Sequence, residues 1–132
     1  MGRSELRKHI FRMIFRIDFY KPEELSEQLQ YYCEYLEGLE IKDQVYISDK
    51  FKEILEKINE IDDLLNESTT GWKTSRMNKV DLSILRLAVY EVKWDDEVPT
   101  GVAINEAVEL AKVFSSEEGP AFINGVLAKL VN

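Results

Sequence analysis

The sequence has 132 residues, a formal net charge of −8 and a hydrophobic fraction of 45%. A chain of this length forms a hydrophobic core without disulfide or metal staples, and its single cysteine and single histidine are too few ligands for either. No apolar run approaches the roughly 18 residues of a membrane span, and the charged N-terminus is unlike a signal peptide, so we expect a cytoplasmic protein without membrane segment, metal or cofactor.

Apolar residues repeat at helical spacing along nearly the whole chain, and no stretch alternates as a half-buried strand does. The pattern therefore predicts an all-α protein. We expect one domain over residues 1–132, with helical halves at approximately 1–66 and 72–132. The polar, glycine-containing segment between these halves is the clearest interruption of the pattern.

The first predicted helix carries three rows of side chains instead of the two of a simple amphipathic helix. Its core row consists of Leu6, Ile10, Met13, Ile14 and Ile17. The neighbouring rows are the phenylalanines Phe11, Phe15 and Phe19 and the basic residues Lys8, Arg12 and Arg16. Aromatic area and positive charge suit a surface that docks another macromolecule. Packing of the phenylalanines on the next helices, with the basic groups paired to carboxylates there, explains the pattern equally well.

Two helices are predicted before the polar segment. Pro22 followed by two glutamates is typical of a helix start, and Gly38 marks the expected end of that helix. Its buried face consists of Leu25, Leu29, Tyr32 and Leu36. A third, longer helix is predicted over residues 51–65, entered near Ser48, and its acidic, lysine-rich outer face is typical of a solvated surface.

The C-terminal half contains three further predicted helices. Asn78 with Asp81 three residues later resembles a capping box and predicts the start of a fourth helix. Its apolar arcs, over residues 80–92, are broad enough for a central helix. A fifth helix is predicted over residues 102–114, and Pro120 opens the last helix after a short loop.

Few residues suggest catalysis. Glu91 falls in an apolar arc, where a carboxylate needs partners or a shifted pKa. We interpret it as a structural acceptor of hydrogen bonds from a neighbouring helix N-terminus, because no second acid or histidine completes an acid–base pair. A nucleophilic pair of Cys33 and His9 is disfavoured because no orienting group accompanies it. The sequence therefore predicts a protein that is not an enzyme.

Positive charge is concentrated in two segments of this acidic chain, residues 1–20 and residues 72–94, each with a net charge of +3. Such patches attract phosphate whatever the total charge, although chance clustering on solvated faces also accounts for them. Arg3 and Arg7 reach phosphates if the terminus is flexible, or else pair with an acidic helix. Trp72 either stacks on a base or, as we favour, plugs the junction between the helical halves.

Four blocks in the C-terminal half resemble the transcription antitermination protein NusB family. The blocks are DLSILRLAVYE at 81–91, VP at 98–99, VAINEAVELAK at 102–112 and FINGVL at 122–127. Their order and separation make the resemblance specific. The family's opening pattern is similar to Arg7, Ile10, Ile14 and Phe15, whereas residues 20–65 match only in length and helical character. The resemblance implies a NusB-like fold of about six or seven helices in two packed bundles.

The resemblance also implies a function. NusB proteins bind the boxA element of nascent ribosomal RNA leaders, a single strand, together with the ribosomal protein NusE in the antitermination complex of RNA polymerase. Carried over by position, the RNA-binding residues are Arg3, Arg7, Lys112, Glu118, Phe122 and Asn124. The residues that contact NusE are Phe15 and Asp81. An exposed phenylalanine row also leaves open a homodimer of the free protein.

Three departures from the family pattern bear on RNA affinity. The family's N-terminal arginine tract is reduced to Arg3, Arg7 and Lys8; Ser115 and Ile10 replace a glycine and an alanine. We therefore expect weak, salt-sensitive RNA binding by the chain alone and tighter binding with NusE. Two rival functions are a helical protein–protein scaffold and a stand-alone relative of the RNA-binding domain of RNA cytosine methyltransferases.

Overall fold

The computed structural model describes residues 1–69, 71 and 73–132, and these residues form seven α-helices and no β-strand. The helices are α1 (Arg3–Phe15), α2 (Leu25–Tyr35), α3 (Ile41–Glu56), α4 (Ile58–Ser68), α5 (Lys79–Trp94), α6 (Thr100–Phe114) and α7 (Gly119–Val131). The all-α prediction is confirmed, and the two interpretations of Trp72 lie outside the described residues. Over those residues, none of the helices has the length and apolarity needed to cross a membrane.

The chain divides into two compact units, Met1–Leu55 (unit 1) and Glu56–Asn132 (unit 2). The predicted helical halves, approximately 1–66 and 72–132, stay a prediction. The boundary between the two units falls just before Lys57, where φ is −105° and ψ is 8°, outside regular helical values.

The prediction of one long third helix entered near Ser48 is wrong. α3 begins earlier, at Ile41, and α4 begins after the break at Lys57. Ile54, Ile58 and Ile61 keep helical spacing across that break, so the apolar pattern alone does not reveal it.

Unit 1 contains α1, α2 and α3. The core row of α1 is buried at Leu6, Ile10, Met13 and Ile14. Phe11 joins the core at 4% exposure, whereas Phe19 is 58% exposed. The chain tightens into a 3₁₀ turn at Arg16–Asp18, which has about three residues per turn, so Phe19 leaves the row that α-helical spacing predicts.

The second helix starts as its sequence predicts, but it ends at Tyr35, so Leu36 lies outside the helix and is only half-buried. Pro22–Glu24 forms a 3₁₀ turn that runs into α2, and the Glu24 side chain accepts a hydrogen bond from the Lys21 amide at 2.9 Å. After α2 the chain turns at Gly38, whose φ of 69° lies in the left-handed region that favours glycine.

α5 is the central helix of unit 2, with every residue from Asp81 to Glu91 buried. Asn78 caps it, because its side-chain oxygen accepts a hydrogen bond from the Asp81 amide at 2.8 Å. α4, α6 and α7 all contact α5, and α6 packs along α7. The predicted central helix, its cap and the start of α7 at Pro120 are thus confirmed.

One ion pair joins α4 to α5 inside unit 2. The Arg86 guanidinium donates to both carboxylate oxygens of Asp62, from Nε at 2.9 Å and from Nη2 at 2.8 Å. Arg86 is 5% exposed. This two-point geometry fixes how the two helices face each other.

Candidate nucleic-acid and partner interface

Asp81 joins two helix ends in unit 2. One carboxylate oxygen accepts a hydrogen bond from the Asn78 side-chain amide at 2.8 Å, and the other accepts one from the Ser115 hydroxyl at 2.5 Å. Ser115 follows the last residue of α6, so the carboxylate connects the start of α5 to the end of α6. Asp81 is 5% exposed. Its predicted contact with NusE stays a prediction, and its contacts here lie within unit 2.

Gly119 brings the start of α7 against the same junction. A Cβ added at Gly119 would come within 2.5 Å of Ser115 Cβ, which no side chain tolerates without movement. Glycine is therefore required here by the close approach to Ser115 rather than by its own backbone conformation.

The three helix ends frame a surface cavity of about 210 Å³ in unit 2. Three of the predicted interface residues, Asp81, Glu118 and Phe122, line it together with Met77, Asn78, Ser116 and Gly119. Glu118 is exposed and Phe122 is half-buried. A half-buried aromatic ring offers a face for an unpaired base, and a carboxylate accepts hydrogen bonds from the amino group of a base. The cavity can thus receive a base.

Lys112 and Asn124 lie elsewhere in unit 2. The Lys112 ammonium donates to Glu109 at 3.0 Å, and the two side chains are 57% and 55% exposed. Exposed pairs of this kind contribute little to stability, so the pairing with Glu109 would be no large obstacle to an anionic ligand at Lys112. Asn124 is exposed and lines a different groove, between α6 and α7, with Asn105. The structure therefore does not bring Asn124 into the cavity that Phe122 lines.

The two predicted RNA-binding arginines of unit 1 have different surroundings. Arg3 is exposed, and its guanidinium carbon lies 4.4 Å from the centre of the Tyr46 ring. This cation–π contact keeps the positive charge at the surface and limits where it points. Arg7 is 4% exposed. Its role in phosphate binding stays a prediction, with little of its surface available to a ligand.

Phe15, the other predicted NusE contact, forms an aromatic patch with Phe19. Their ring centres are 5.0 Å apart, Phe15 is half-buried and Phe19 is 58% exposed. Exposed aromatic area of this kind is typical of protein contact sites. The contact of Phe15 with NusE stays a prediction.

A buried polar pair lies between α1 and α2. His9 Nδ1 and the Tyr32 hydroxyl are 2.6 Å apart. Burial, and then the positive charge of Arg12, lower the pKa of His9. Burial likewise raises the pKa of Tyr32, so both side chains are neutral near pH 7.

The described residues show neither an activated cysteine nor a cluster of metal ligands. Burial raises the pKa of the Cys33 thiol, which disfavours the reactive thiolate. Within residues 1–69, 71 and 73–132, no cluster of histidine, cysteine and carboxylate side chains is arranged to hold a metal ion.

Sequence reasoning missed the role of tyrosines in unit 1. The Arg16 guanidinium lies 5.0 Å from the centre of the Tyr32 ring, just as Arg3 lies over Tyr46. The available signal was the group of tyrosines at 31, 32 and 35 beside basic residues four apart at 12 and 16. That signal becomes specific only when the fold pairs α1 with α2.

Comparison with known proteins gives one consistent result. Residues 4–132 match the family model described as the NusB family. The transcription antitermination protein NusB of Lachnoclostridium phytofermentans is 48% identical over 132 residues, which is 100% of both chains. The structure is similar to T. maritima NusB, with a TM-score of 0.89, 30% identity and coverage of 98% of this chain and 90% of that one.

A more distant solved structure shares the fold. It is described as antitermination factors NusB and NusE in complex with double-stranded RNA, and it has a TM-score of 0.82 and 24% identity. The match covers 97% of this chain and 94% of that chain.

Proposed function

The chain belongs to the NusB family, and from that premise we propose that it is a non-catalytic transcription antitermination factor that binds the boxA element of ribosomal RNA leaders together with NusE. The observation that carries the proposal is the family match over residues 4–132, supported by 48% identity to a full-length NusB. The fold it shares is also that of a NusB chain solved with NusE and RNA.

The proposed RNA contacts divide by chemistry. Arg3 and Lys112 bind phosphates, because both cations are exposed. Phe122 stacks on a base, and Glu118 beside it accepts hydrogen bonds from that base or its neighbour. Asn124 contacts the strand from the α6–α7 groove. Arg7, being buried, adds positive potential rather than an initial contact.

The proposed NusE contact uses the aromatic patch of Phe15 and Phe19. Aromatic rings at the centre of an interface contribute much of its binding energy. We assign Asp81 an indirect role in NusE binding. Its hydrogen bond to Ser115 holds the end of α6 at the start of α5, beside the cavity that Phe122 lines. The chain, with RNA and NusE bound, then joins the RNA polymerase antitermination complex.

RNA binding is tested by fluorescence anisotropy with a boxA RNA, with and without NusE, across a salt series. With two to four phosphates neutralised, the log–log salt slope of the chain alone is expected at roughly −1.4 to −2.8. Arg3→Glu and Lys112→Glu should each weaken binding about threefold to tenfold and reduce the slope by about 0.7, the value for one phosphate of a single strand. Lys129→Glu on the exposed side of α7 is the matched control and should have a smaller effect.

The same titrations separate the proposal from its rivals. Unchanged RNA affinity in both Arg3→Glu and Lys112→Glu, with NusE still bound, would favour a protein scaffold. Tight, salt-independent binding by the chain alone would contradict the proposed phosphate contacts.

NusE binding is tested by a pull-down with Phe15→Asp, which places a charge in the aromatic patch. We expect loss of NusE at unchanged helical content in far-ultraviolet circular dichroism. Val113→Asp, at a residue of unit 2 that is 66% exposed, is the control and should retain NusE. Equal retention by both variants would remove Phe15 from the interface.

A further inference from the structure

A second polar and aromatic groove lies in unit 1, between α1 and α2. Its volume is about 560 Å³, within the roughly 300–1,000 Å³ of small-molecule sites. The side chains that define it are Arg12, Arg16, Gln28, Tyr31, Tyr32 and Tyr35. The sequence analysis left Arg12 and Arg16 as candidates for a docking surface and assigned none of the groove's other side chains to a binding site.

The floor of the groove is held rigidly. Tyr32 is 8% exposed, and its hydroxyl is 2.6 Å from His9 Nδ1. The Arg16 guanidinium lies over the Tyr32 ring, 5.0 Å from its centre, while its Nη1 donates to the Arg12 backbone carbonyl at 2.7 Å. One anchored tyrosine and one carbonyl thus set the direction of Arg16 before any ligand arrives.

The walls of the groove carry exposed aromatic surface. Tyr35 is 82% exposed and Tyr31 is 54% exposed, far more than the buried tyrosine between them in sequence. The Tyr31 hydroxyl hydrogen-bonds to Glu27, which raises the pKa of Tyr31. Solvated rings beside two guanidinium groups combine the two elements of single-strand recognition, a stacking surface and a cationic track.

We propose that this groove binds a nucleotide of single-stranded RNA outside the boxA element, with the base stacked on Tyr35 or Tyr31 and the phosphate bound by Arg12 and Arg16. The inference rests on the proposed RNA-binding function and adds a contact to it. The exposed ring faces favour a nucleotide over an acidic peptide, because every base offers a ring to stack and acidic side chains offer none. Glu27 and Glu34 on α2 repel phosphate, so the contact is an auxiliary one that needs the rest of the strand.

The test uses the full chain, with and without NusE, and two RNAs. One is the boxA element alone, and the other carries single-stranded flanks of about six nucleotides on each side. We expect the flanks to raise the affinity of the unmodified chain by roughly fivefold to tenfold, the effect of about one stacked base. Tyr35→Leu should remove most of that gain and leave affinity for boxA alone unchanged. Tyr20→Leu, also exposed in unit 1 but outside the groove, should keep the gain.

A charge variant tests the phosphate contact separately. Arg12→Gln should reduce the salt slope by about 0.7 for the flanked RNA only, the value for one phosphate of a single strand. Lys52→Gln, an exposed residue of α3, is the matched control. Flanks that carry 4-thiouridine should form photo-crosslinks to peptides of α2, located by mass spectrometry.

The outcomes distinguish this inference from the proposed function. No binding of either RNA would contradict the proposed function itself. Binding of boxA with a flank gain that survives Tyr35→Leu and Arg12→Gln would overturn the groove. Loss of NusE binding in those variants, at an unchanged flank gain, would overturn it in favour of a protein contact.

Discussion

The two units use their polar side chains differently. In unit 2, carboxylates bind polar side chains: Asp62 holds the buried Arg86 at two points, and the buried Asp81 holds Asn78 and Ser115. In unit 1, several cations lie over tyrosine rings, Arg3 and Lys50 over Tyr46 and Arg16 over Tyr32, whereas the N-terminal ammonium pairs with Asp43 at 3.1 Å. A carboxylate neutralises the charge it holds, whereas an aromatic ring orients a cation without cancelling its charge.

This difference assigns different tasks to the units. The carboxylate contacts of unit 2 join α4 to α5 and α5 to the end of α6, so they fix the helices that frame the Phe122 cavity. The tyrosine contacts of unit 1 orient Arg3 and Arg16 without neutralising their charge. Removing a polar contact in unit 2 should therefore cost stability, and removing one in unit 1 should cost ligand binding.

The largest effect is expected at the ion pair of unit 2. Arg86→Met leaves the Asp62 carboxylate without its two-point partner and should lower the free energy of unfolding by about 3 kcal/mol. Arg16→Met, the counterpart in unit 1, should cost less than about 1 kcal/mol, because it removes a partly exposed cation–π contact. Urea denaturation followed by circular dichroism measures both, and equal losses would break the distinction between the units.

A second test uses two glycines of α7. Gly119→Ala forces Ser115 to move, which weakens its hydrogen bond to Asp81, and should cost about 1–3 kcal/mol. A Cβ at Gly125 meets nothing within 4 Å, so Gly125→Ala should stabilise the helix by about 0.5–1 kcal/mol. Thermal unfolding of the two variants should move in opposite directions. Stabilisation by Gly119→Ala would contradict the close approach.

Whether a contact could be predicted from the sequence depends on how far apart its residues lie along the chain. Asn78 binds an amide one turn into α5, and Pro120 starts α7 through its fixed φ and missing N–H, so both helix starts could be predicted from local sequence alone. The Asp81 contact with Ser115 spans 34 positions, and only the packing of α5 on α6 creates it. Likewise, the position of Arg86 in the sequence did not predict that Asp62 on α4 would be its partner. The groove between α1 and α2 was also not predicted, because it depends on how those two helices pack.

The third test changes pH. Because the pKa of His9 is lowered from 6.5 in the folded chain, the unfolded chain takes up a proton first as pH falls. Unit 1 should therefore lose stability as pH falls through about 6.5, and the loss should stop once folded His9 is protonated. His9→Gln should flatten this part of the profile, measured as urea midpoints between about pH 7.5 and about pH 5.5. An identical profile in the variant would show that His9 is not the group responsible.

The smallest expected change in stability is at Tyr46, where the comparison between the units is sharpest. Tyr46→Leu keeps apolar volume but removes the ring beneath Arg3, and should lower the free energy of unfolding by about 0.5–1 kcal/mol. RNA affinity should fall about twofold to fivefold, because an arginine without its ring must be ordered when the phosphate binds. Tyr46→Phe retains the ring, loses only the hydroxyl contact with Lys50 at 3.3 Å, and should bind RNA like the unmodified chain. If Leu and Phe variants bind RNA equally well, Tyr46 does not position Arg3, and the tyrosines of unit 1 serve packing alone.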